Sequence, residues 1–269
     1  VVLCIAGCAA LSTGQRQSST GHLAAAACPP YIPADIVRAH MPAHPFEAIA
    51  SPDGCWLFAS LVSLNPRPVI GTTGGGIGVL QWTGAQLVLK RVVPLSPPRP
   101  AGMALSHDGR LLVVADGRFV HFLDVARLVS GAADPQLGSI RDAEAPGSVY
   151  VAISGDDRTL FVSDEEVSAV TVIDLQRARR TGFRQGAIIG NISTGRAPVG
   201  LAFSRDGRYL FITSEVWPGR PGWPINCHPR PGLRPVGAGA VQVIDVARAR
   251  RRPMEAMVGR TPAGCGPVR

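Results

Sequence analysis

Carboxylates that follow apolar segments are the residues of this chain best placed to do chemistry. Asp116, Asp164, Glu165, Glu166 and Glu215 each lie close behind a run of apolar residues. If such acids gather at one edge of a fold, they can hold a cation or exchange protons with a substrate. The plainer interpretation is that they are solvated residues in turns. The choice depends on the elements that position them.

A second group of candidates lies in the Pro- and Gly-rich segment Glu215–Gly239, which contains Trp217, Trp223, Cys227 and His228. Long loops on a rigid scaffold often carry binding residues. The alternative is a loop that only covers a rim of the fold. One His–Cys pair is a weak signal for a metal site. The sequence has no GxSxG, HExxH or P-loop motif, so it leaves open whether the protein is an enzyme, which cofactor it uses and whether it binds a metal.

The elements that position these candidates repeat four times. Each unit has a proline, a short apolar strand, a Ser-x-Asp turn, a second apolar strand and then two further strands. The turns begin at Ser51, Ser106, Ser154 and Ser204, and three of them continue as Asp-Gly. Asp-Gly favours a hairpin because glycine tolerates positive φ. Four strands in a period of about 50 residues are typical of β-propeller blades.

We therefore predict an all-β fold, a β-propeller of four-stranded antiparallel blades with about four complete blades. The predicted blades are about 45–99, 100–145, 146–197 and 198–261, with the start of a fifth at 262–269. Alternate turns of a meander lie at opposite ends of a blade. The candidate acids and the long segments Leu61–Gly76 and Glu215–Gly239 are therefore expected on one face. The arginine runs Arg177–Arg180 and Arg248–Arg252 are expected in third-to-fourth turns on the other face.

The units resemble the YVTN-type repeats of seven-bladed propellers in bacterial envelopes, which are relatives of the lactonase-type propellers. The resemblance is carried by Ala202–Arg208 and Val241–Asp245 and by their counterparts in the other copies. It implies that this chain is a fragment of a larger propeller. It also implies two alternative functions, a lactonase-like hydrolase using loop carboxylates and an accessory propeller subunit of a periplasmic redox system. It assigns no catalytic residue, because no motif beyond the repeat matches.

The first residues resemble the end of a bacterial lipoprotein signal peptide. Ile5-Ala6-Gly7-Cys8 has an aliphatic residue, two small residues and the cysteine that would carry lipid. No basic region precedes it, so we interpret 1–8 as a truncated signal peptide and 9–44 as a tether. The alternative is an ordinary apolar start with a chance cysteine. The prediction is an exported, periplasmic or cell-surface lipoprotein that is held at the membrane through Cys8.

If Cys8 carries lipid and Cys4 is removed, four cysteines remain, Cys28, Cys55, Cys227 and Cys265. An even number in an exported protein is compatible with two disulfides in any of three pairings. The most local pairing is Cys28–Cys55 with Cys227–Cys265.

The net charge of +8 does not indicate nucleic-acid binding. The arginines are scattered through every repeat, and no nucleic-acid module is present. The arginine runs are solvated turns in the plain interpretation, and in the functional one they attract anionic lipid or envelope polymer. The function we predict is a binding or scaffold module for an envelope protein or polymer partner.

Overall fold

The computed structural model of the protein describes residues 28–29, 36–62, 75–96, 99–145, 147–217 and 238–265. Several candidates lie outside the described residues. They are residues 1–8 with Cys8, which we predicted to be a truncated signal peptide, most of the insertion Leu61–Gly76, and the loop residues Trp223, Cys227 and His228.

Within these ranges the chain forms four antiparallel sheets, and in each sheet four consecutive strands pair in order. This confirms the predicted all-β fold with four four-stranded blades. Blade one contains β1 (His44–Ala50), β2 (Trp56–Val62), β3 (Gly76–Trp82) and β4 (Leu87–Pro94). Blade two contains β5 (Met103–Leu105), β6 (Leu111–Asp116), β7 (Phe119–Asp124) and β8 (Gln136–Arg141). Blade three contains β9 (Ser148–Ile153), β10 (Thr159–Asp164), β11 (Ala169–Asp174) and β12 (Ile188–Ser193). Blade four contains β13 (Arg196–Phe203), β14 (Tyr209–Val216), β15 (Ala240–Asp245) and β16 (Met257–Pro262).

The blades pack face to face around an axis lined by their first strands. Strand β5 contacts β1 and β9, and β9 also contacts β13. Each of three apolar clusters combines residues of two neighbouring blades. A fourth cluster lies on the outer side of blade one, where Ala39, Met41 and Ala43 pack against the sheet. The core therefore lies mainly between blades.

One repeat position shows how the blades interlock. The residue seven places after each turn serine points towards the next blade. Phe58, Val113 and Phe161 occupy this position in blades one to three and are fully buried. The Phe161 ring meets the Phe203 ring of blade four edge to face, with 5.8 Å between centroids. Phe211 occupies the same position in blade four. No further blade among the described residues packs against it, so it is 38% exposed.

The third-to-fourth connections are short helices in three blades, whereas the sequence predicted turns there. They are α1 (Val125–Ser130), α2 (Leu175–Arg180) and α3 (Val246–Ala249). Each begins behind an aspartate, Asp124, Asp174 or Asp245, whose carboxylate accepts the backbone N–H three residues later. Such caps satisfy an amide that a helix start leaves unpaired. Blade one has Gln81 at this position and a turn in place of a helix.

The segment Met254–Val258 follows α3 and contains apolar residues typical of a strand, but only its end belongs to the fourth strand of blade four. A 3₁₀ helix, η1 (Pro253–Glu255), occupies the start of that segment, and the strand begins at Met257. Proline suits the first position of a helix because it has no N–H to leave unpaired. The buried Pro253 ring also faces Gly190 of blade three, so η1 packs against the neighbouring blade.

Two faces of the propeller follow from this order. We call one the helix face; it carries the Ser-x-Asp turns and the third-to-fourth connections. The other, the loop face, carries the second-to-third connections and the linkers between blades. A disulfide joins Cys28 to Cys55, whose Cα atoms are 5.3 Å apart, beside the first Ser-x-Asp turn on the helix face. Cys265 is also disulfide-bonded, and Cys227, its expected partner, lies outside the described residues.

Polar contacts across the helix face add to the packing between blades. Arg250, which ends α3 in blade four, donates to the Asp156 carboxylate at 2.7 Å and to the Thr159 hydroxyl in blade three. Arg91 of blade one donates to three carbonyls at the C-terminal end of α1 in blade two. Some arginines of this face therefore hold neighbouring blades together.

Phe161 and Phe211 form a matched pair for testing the interlock. Phe161→Ala removes a buried ring between two blades and is expected to lower the free energy of unfolding by about 3–5 kcal/mol. Phe211→Ala, at the same repeat position on an open sheet face, is expected to lower it by less than about 1 kcal/mol. Urea denaturation of both variants measures the difference. Equal losses would contradict the assignment of the core to the interfaces between blades.

Candidate functional site

The loop face brings two of the predicted acids to equivalent places in neighbouring blades. Asp116 ends β6 and Asp164 ends β10, and each lies ten residues after its turn serine. Leu61 and Ser214 occupy the same position in blades one and four. Both aspartates are fully buried, so they are not the solvated turn residues of the plain interpretation.

Two residues that were not predicted from the sequence, His121 and Asp142, join them. His121 lies on β7, with its Nε2 atom 3.6 Å from Oδ2 of Asp116. Asp142 lies in the linker after β8 and interacts electrostatically with both His121 and Asp164. We call Asp116, His121, Asp142 and Asp164 the buried polar cluster; none of them is more than 8% exposed. The cluster crosses from blade two to blade three.

Short local contacts position each carboxylate. Asp116 accepts the backbone N–H of Arg99 at 3.2 Å, and Asp142 accepts the Ser148 hydroxyl at 2.7 Å. Asp164 accepts the backbone N–H groups of the turn above it, those of Glu166 at 3.2 Å and Val167 at 3.4 Å.

The linker between the two blades packs directly on this turn. The Glu165 N–H donates to the carbonyl of Gly147 at 2.9 Å. A Cβ atom at position 147 would overlap the Asp164 carboxylate and the backbone of Glu166, so the close approach requires glycine.

Each member of the cluster has one polar atom without a hydrogen-bond partner among the described residues. These atoms are Oδ2 of Asp116, Nε2 of His121, Oδ1 of Asp142 and Oδ2 of Asp164. Native proteins pair nearly all buried polar groups, because an unpaired one loses its solvation without compensation. Oδ2 of Asp116 and Nε2 of His121 face each other at 3.6 Å, which is longer than a hydrogen bond, whereas Oδ1 of Asp142 and Oδ2 of Asp164 have no hydrogen-bond partner among the described residues. These buried polar atoms mark the cluster as a candidate site.

Burial dominates the acid–base properties of the cluster. It raises the pKa of Asp142 to about 6, and the Asp164 charge acts in the same direction against the Ser148 hydrogen bond and the His121 charge. Burial also raises the pKa of Asp116 and of Asp164. Asp142 therefore takes up and releases a proton in a range where ordinary aspartates are fully ionised. The cluster can store a proton, although the described residues shield it from solvent.

Three glutamates lie at the loop-face end of the strands, next to the cluster. We call Glu165, Glu166 and Glu215 the acidic rim. The first two lie in the turn between β10 and β11, and Glu215 lies on β14 of the next blade. Burial raises the pKa of Glu165, and the charges of Glu215, Glu166 and Asp164 raise it further. Among the described residues, no basic side chain lies within salt-bridge distance of these three glutamates. Within the part of the chain that the structure describes, the rim is therefore a concentration of negative charge without a salt-bridge partner.

Trp217 stands beside the rim, directly after β14. The Arg260 guanidinium lies 4.7 Å from the centre of its ring, a cation–π arrangement. The backbone N–H of Trp217 donates to the Ala238 carbonyl at 2.8 Å. Trp217 is therefore fixed against blade four at the point where the long loop begins.

The described residues group few metal ligands. Only Cys28, Asp53 and Cys55 bring three ligand atoms within 4.8 Å of one another, and the two sulfurs are joined in the disulfide.

Among the described residues, every helix is too short to span a lipid bilayer.

The site residues thus separate into groups. Glu165 and Glu215 come together on the rim, and Asp116 and Asp164 are joined below them through His121 and Asp142. A signal for His121 was present in the sequence, since β alternation places it on the same side of its sheet as Asp116. Asp142 lies in a linker without periodicity and had no such signal.

Comparison with known proteins bears on the fold. No protein-family model and no curated protein matches the sequence. The structure is similar to hydrazine synthase of Kuenenia stuttgartiensis, with a TM-score of 0.55 and 21% identity over 87% of this chain and 53% of that chain. It is also similar to the periplasmic gluconolactonase of Pseudomonas aeruginosa, with a TM-score of 0.52 and 18% identity over 81% of this chain and 57% of that one. A candidate 6-phosphogluconolactonase of Bacteroides fragilis matches with a TM-score of 0.55 and 15% identity over 84% of this chain and 59% of the other.

At these identities the similarity shows the fold alone. The chain spans 53% to 59% of the length of these three structures.

Asp142→Asn tests the electrostatics of the buried polar cluster. The pKa of Asp142 is raised from 3.8 to about 6, so its contribution to stability is full below about pH 4 and falls as its charge forms between pH 4 and 6. Asparagine keeps an acceptor for Ser148 without the charge. The variant is therefore expected to gain on the order of 2–3 kcal/mol relative to wild type between pH 4 and pH 7.5.

Urea denaturation at the two pH values measures this gain. Glu144→Gln is the matched control, because Glu144 lies two residues away and its side chain is 92% exposed. The same pH dependence in wild type and Asp142→Asn would show that Asp142 does not carry the buried charge.

Proposed function

We propose that this chain is an exported, lipid-anchored binding module that holds a positively charged segment of a protein or polymer partner on its loop face. The acidic rim is the observation that supports the proposal. Burial and the charges of Glu215, Glu166 and Asp164 raise the pKa of Glu165, and packed blades hold the rim close to the buried Asp164. Keeping like charges together is unfavourable for the free protein. A cationic partner would remove that repulsion, and complementary charge also speeds association and selects the partner.

The spacing of the rim favours an extended cation over a single ion. The carboxylates interact through their charges, yet they do not form a group of ligand atoms within 4.8 Å among the described residues. A lysine- or arginine-rich segment carries several charges at separated positions and matches such an arrangement. The exposed Val167, in the same turn as Glu165 and Glu166, offers an apolar contact beside them.

Export is supported by the cysteines. Cys28 and Cys55 form a disulfide, and Cys265 is disulfide-bonded as well. Disulfides persist in oxidising compartments such as the bacterial periplasm. The Ile5–Cys8 pattern supports lipid attachment at Cys8. We also propose, from the residues of the repeat, that the blades are of the YVTN type.

A lactonase-like hydrolase is the second candidate. The buried polar cluster favours it, because an aspartate with a pKa near 6 beside a serine hydroxyl suits general acid–base chemistry. The full burial of Asp116 and Asp164 favours the binding module instead, since a substrate must reach the acids that act on it. An accessory role in a redox system remains a prediction.

Neutralising the rim is expected to weaken binding of a cationic partner. Glu165→Gln/Glu215→Gln removes two charges with little change of shape. It should reduce affinity for a fluorescent ten-lysine peptide at least 10-fold at low salt, if each lost contact contributes about 1 kcal/mol. Fluorescence anisotropy measures the affinity. Glu144→Gln, an exposed glutamate of the same face outside the rim, should leave it unchanged within about 2-fold.

Two results would contradict this assignment. An equal loss of binding free energy per charge removed in the double variant and in Glu144→Gln would mean that the peptide senses only the overall charge. Hydrolysis of a lactone by the wild type, abolished by Asp164→Ala or Glu215→Ala in a folded protein, would replace the binding module with the hydrolase.

Replacing the lipid-bearing cysteine tests the anchor. In cells that process lipoproteins, the natural precursor should incorporate labelled fatty acid and sediment with membranes. Cys8→Ser should lose the label and move largely to the soluble exported fraction, because one basic protein face holds a membrane far less firmly than lipid chains do. An unlabelled wild type, or a Cys8→Ser variant that keeps its label, would show that Cys8 is not lipidated.

A further inference from the structure

The helix face carries an excess of positive charge. The proposed binding of a cationic partner on the loop face gives these charges no role. On blades three and four the helix face has eleven arginines and six carboxylates. The arginines are Arg158, Arg177, Arg179, Arg180, Arg184, Arg205, Arg208, Arg248, Arg250, Arg251 and Arg252. The carboxylates are Asp156, Asp157, Asp174, Asp206, Asp245 and Glu255.

Most of these carboxylates are engaged within the fold. Asp174 and Asp245 cap helices α2 and α3. Asp156 binds Arg250, and Asp157 accepts the backbone N–H of His107. The arginines are largely outward, since ten of the eleven are exposed and only Arg250 is partly buried. Arg177, Arg180 and Arg251 form no salt bridge with a described residue, so their charges are available to an external anion.

An exposed apolar side chain lies among these arginines. Met254, in the 3₁₀ helix η1, is 87% exposed, the largest value among the large apolar residues of the described chain. Arginines 251 and 252 precede it in the sequence. Water disfavours such a side chain, whereas the boundary between lipid headgroups and acyl chains accepts it together with basic neighbours.

The disulfide links this face to the proposed anchor. It fixes Cys28 to Cys55 beside a helix-face turn, and Cys28 lies 20 residues after Cys8. Even a fully extended chain of that length reaches only about 70 Å. Lipid at Cys8 would therefore keep the helix face near the bilayer, where even weak attraction acts at high local concentration.

We infer that the helix face of blades three and four lies against an anionic phospholipid surface, with the arginines on the headgroups and Met254 at their boundary with the acyl chains. The inference rests on the membrane location in the proposed function. It leaves the loop face, at the opposite end of the blades, turned away from the bilayer. Each basic residue near an anionic membrane contributes about 1 kcal/mol, so several together give weak, salt-sensitive binding.

Vesicle flotation of the oxidised, full 269-residue chain with Cys8→Ser isolates this attraction from the lipid anchor. The protein should float with phosphatidylcholine–phosphatidylglycerol vesicles and not with phosphatidylcholine alone. Binding should fall as salt rises, because ions screen exposed charges. Arg177→Gln/Arg180→Gln/Arg251→Gln should weaken it by about 150-fold, from three residues at about 1 kcal/mol each.

Matched controls distinguish the contribution of the helix face to vesicle binding from the effect of total charge. Arg99→Gln/Arg118→Gln/Arg196→Gln removes the same charge from exposed arginines of the loop face and should weaken binding less than about 3-fold. Met254→Ser should lose severalfold, whereas Val167→Ser, which changes an exposed apolar residue of the opposite face, should lose nothing. Circular dichroism confirms that every variant is folded.

Several outcomes would overturn the inference. They are equal losses in the two triple variants, equal binding to both kinds of vesicle, no binding to either, or tighter binding to single-stranded DNA than to anionic vesicles at the same salt. Peptide binding by the acidic rim is measured without vesicles. The proposed binding function is therefore tested independently of this inference.

Discussion

Burial of apolar side chains between neighbouring blades is the constraint on which the rest of the structure depends. Each four-stranded sheet is apolar on both faces and needs a partner on each side. Phe58, Val113 and Phe161 are fully buried at equivalent places. This packing fixes the distance from one blade to the next, and thereby the relative positions of groups that no single blade could bring together. The electrostatic interaction of Asp142, in a linker, with Asp164 of the next blade is one consequence.

The Ser-x-Asp turn was predictable because its chemistry is local. In all four copies the serine hydroxyl accepts the backbone N–H five residues later and donates to the aspartate two residues later, as in Ser106 with Leu111 and Asp108. Blade three replaces the glycine of the turn with Asp157, which adopts a φ of 54°. A closed network inside a few residues is visible in the sequence, and four copies identify both the blade and its face.

The connecting helices were missed for a physical reason. Six residues are too few to show a helical period, and the run of arginines after Asp174 suggested a solvated turn. The signal was the aspartate itself, which recurs in blades two, three and four and caps the helix that follows. The buried polar cluster was harder to foresee. The positions of Asp116 and Asp164 on the loop face follow from counting turns, but their burial depends on a linker that packs over them from another part of the chain.

Net charge alone describes this protein poorly. The whole chain carries +8, yet carboxylates gather at Glu165 and Glu215. Most arginines of blades three and four lie at the other end of the strands. The meander produces this separation, because alternate connections lie on opposite faces and each face collects its own sequence features. Screening limits exposed charges to about 10 Å, so the two faces act as independent surfaces. One propeller can therefore meet an anionic surface and a cationic partner at the same time.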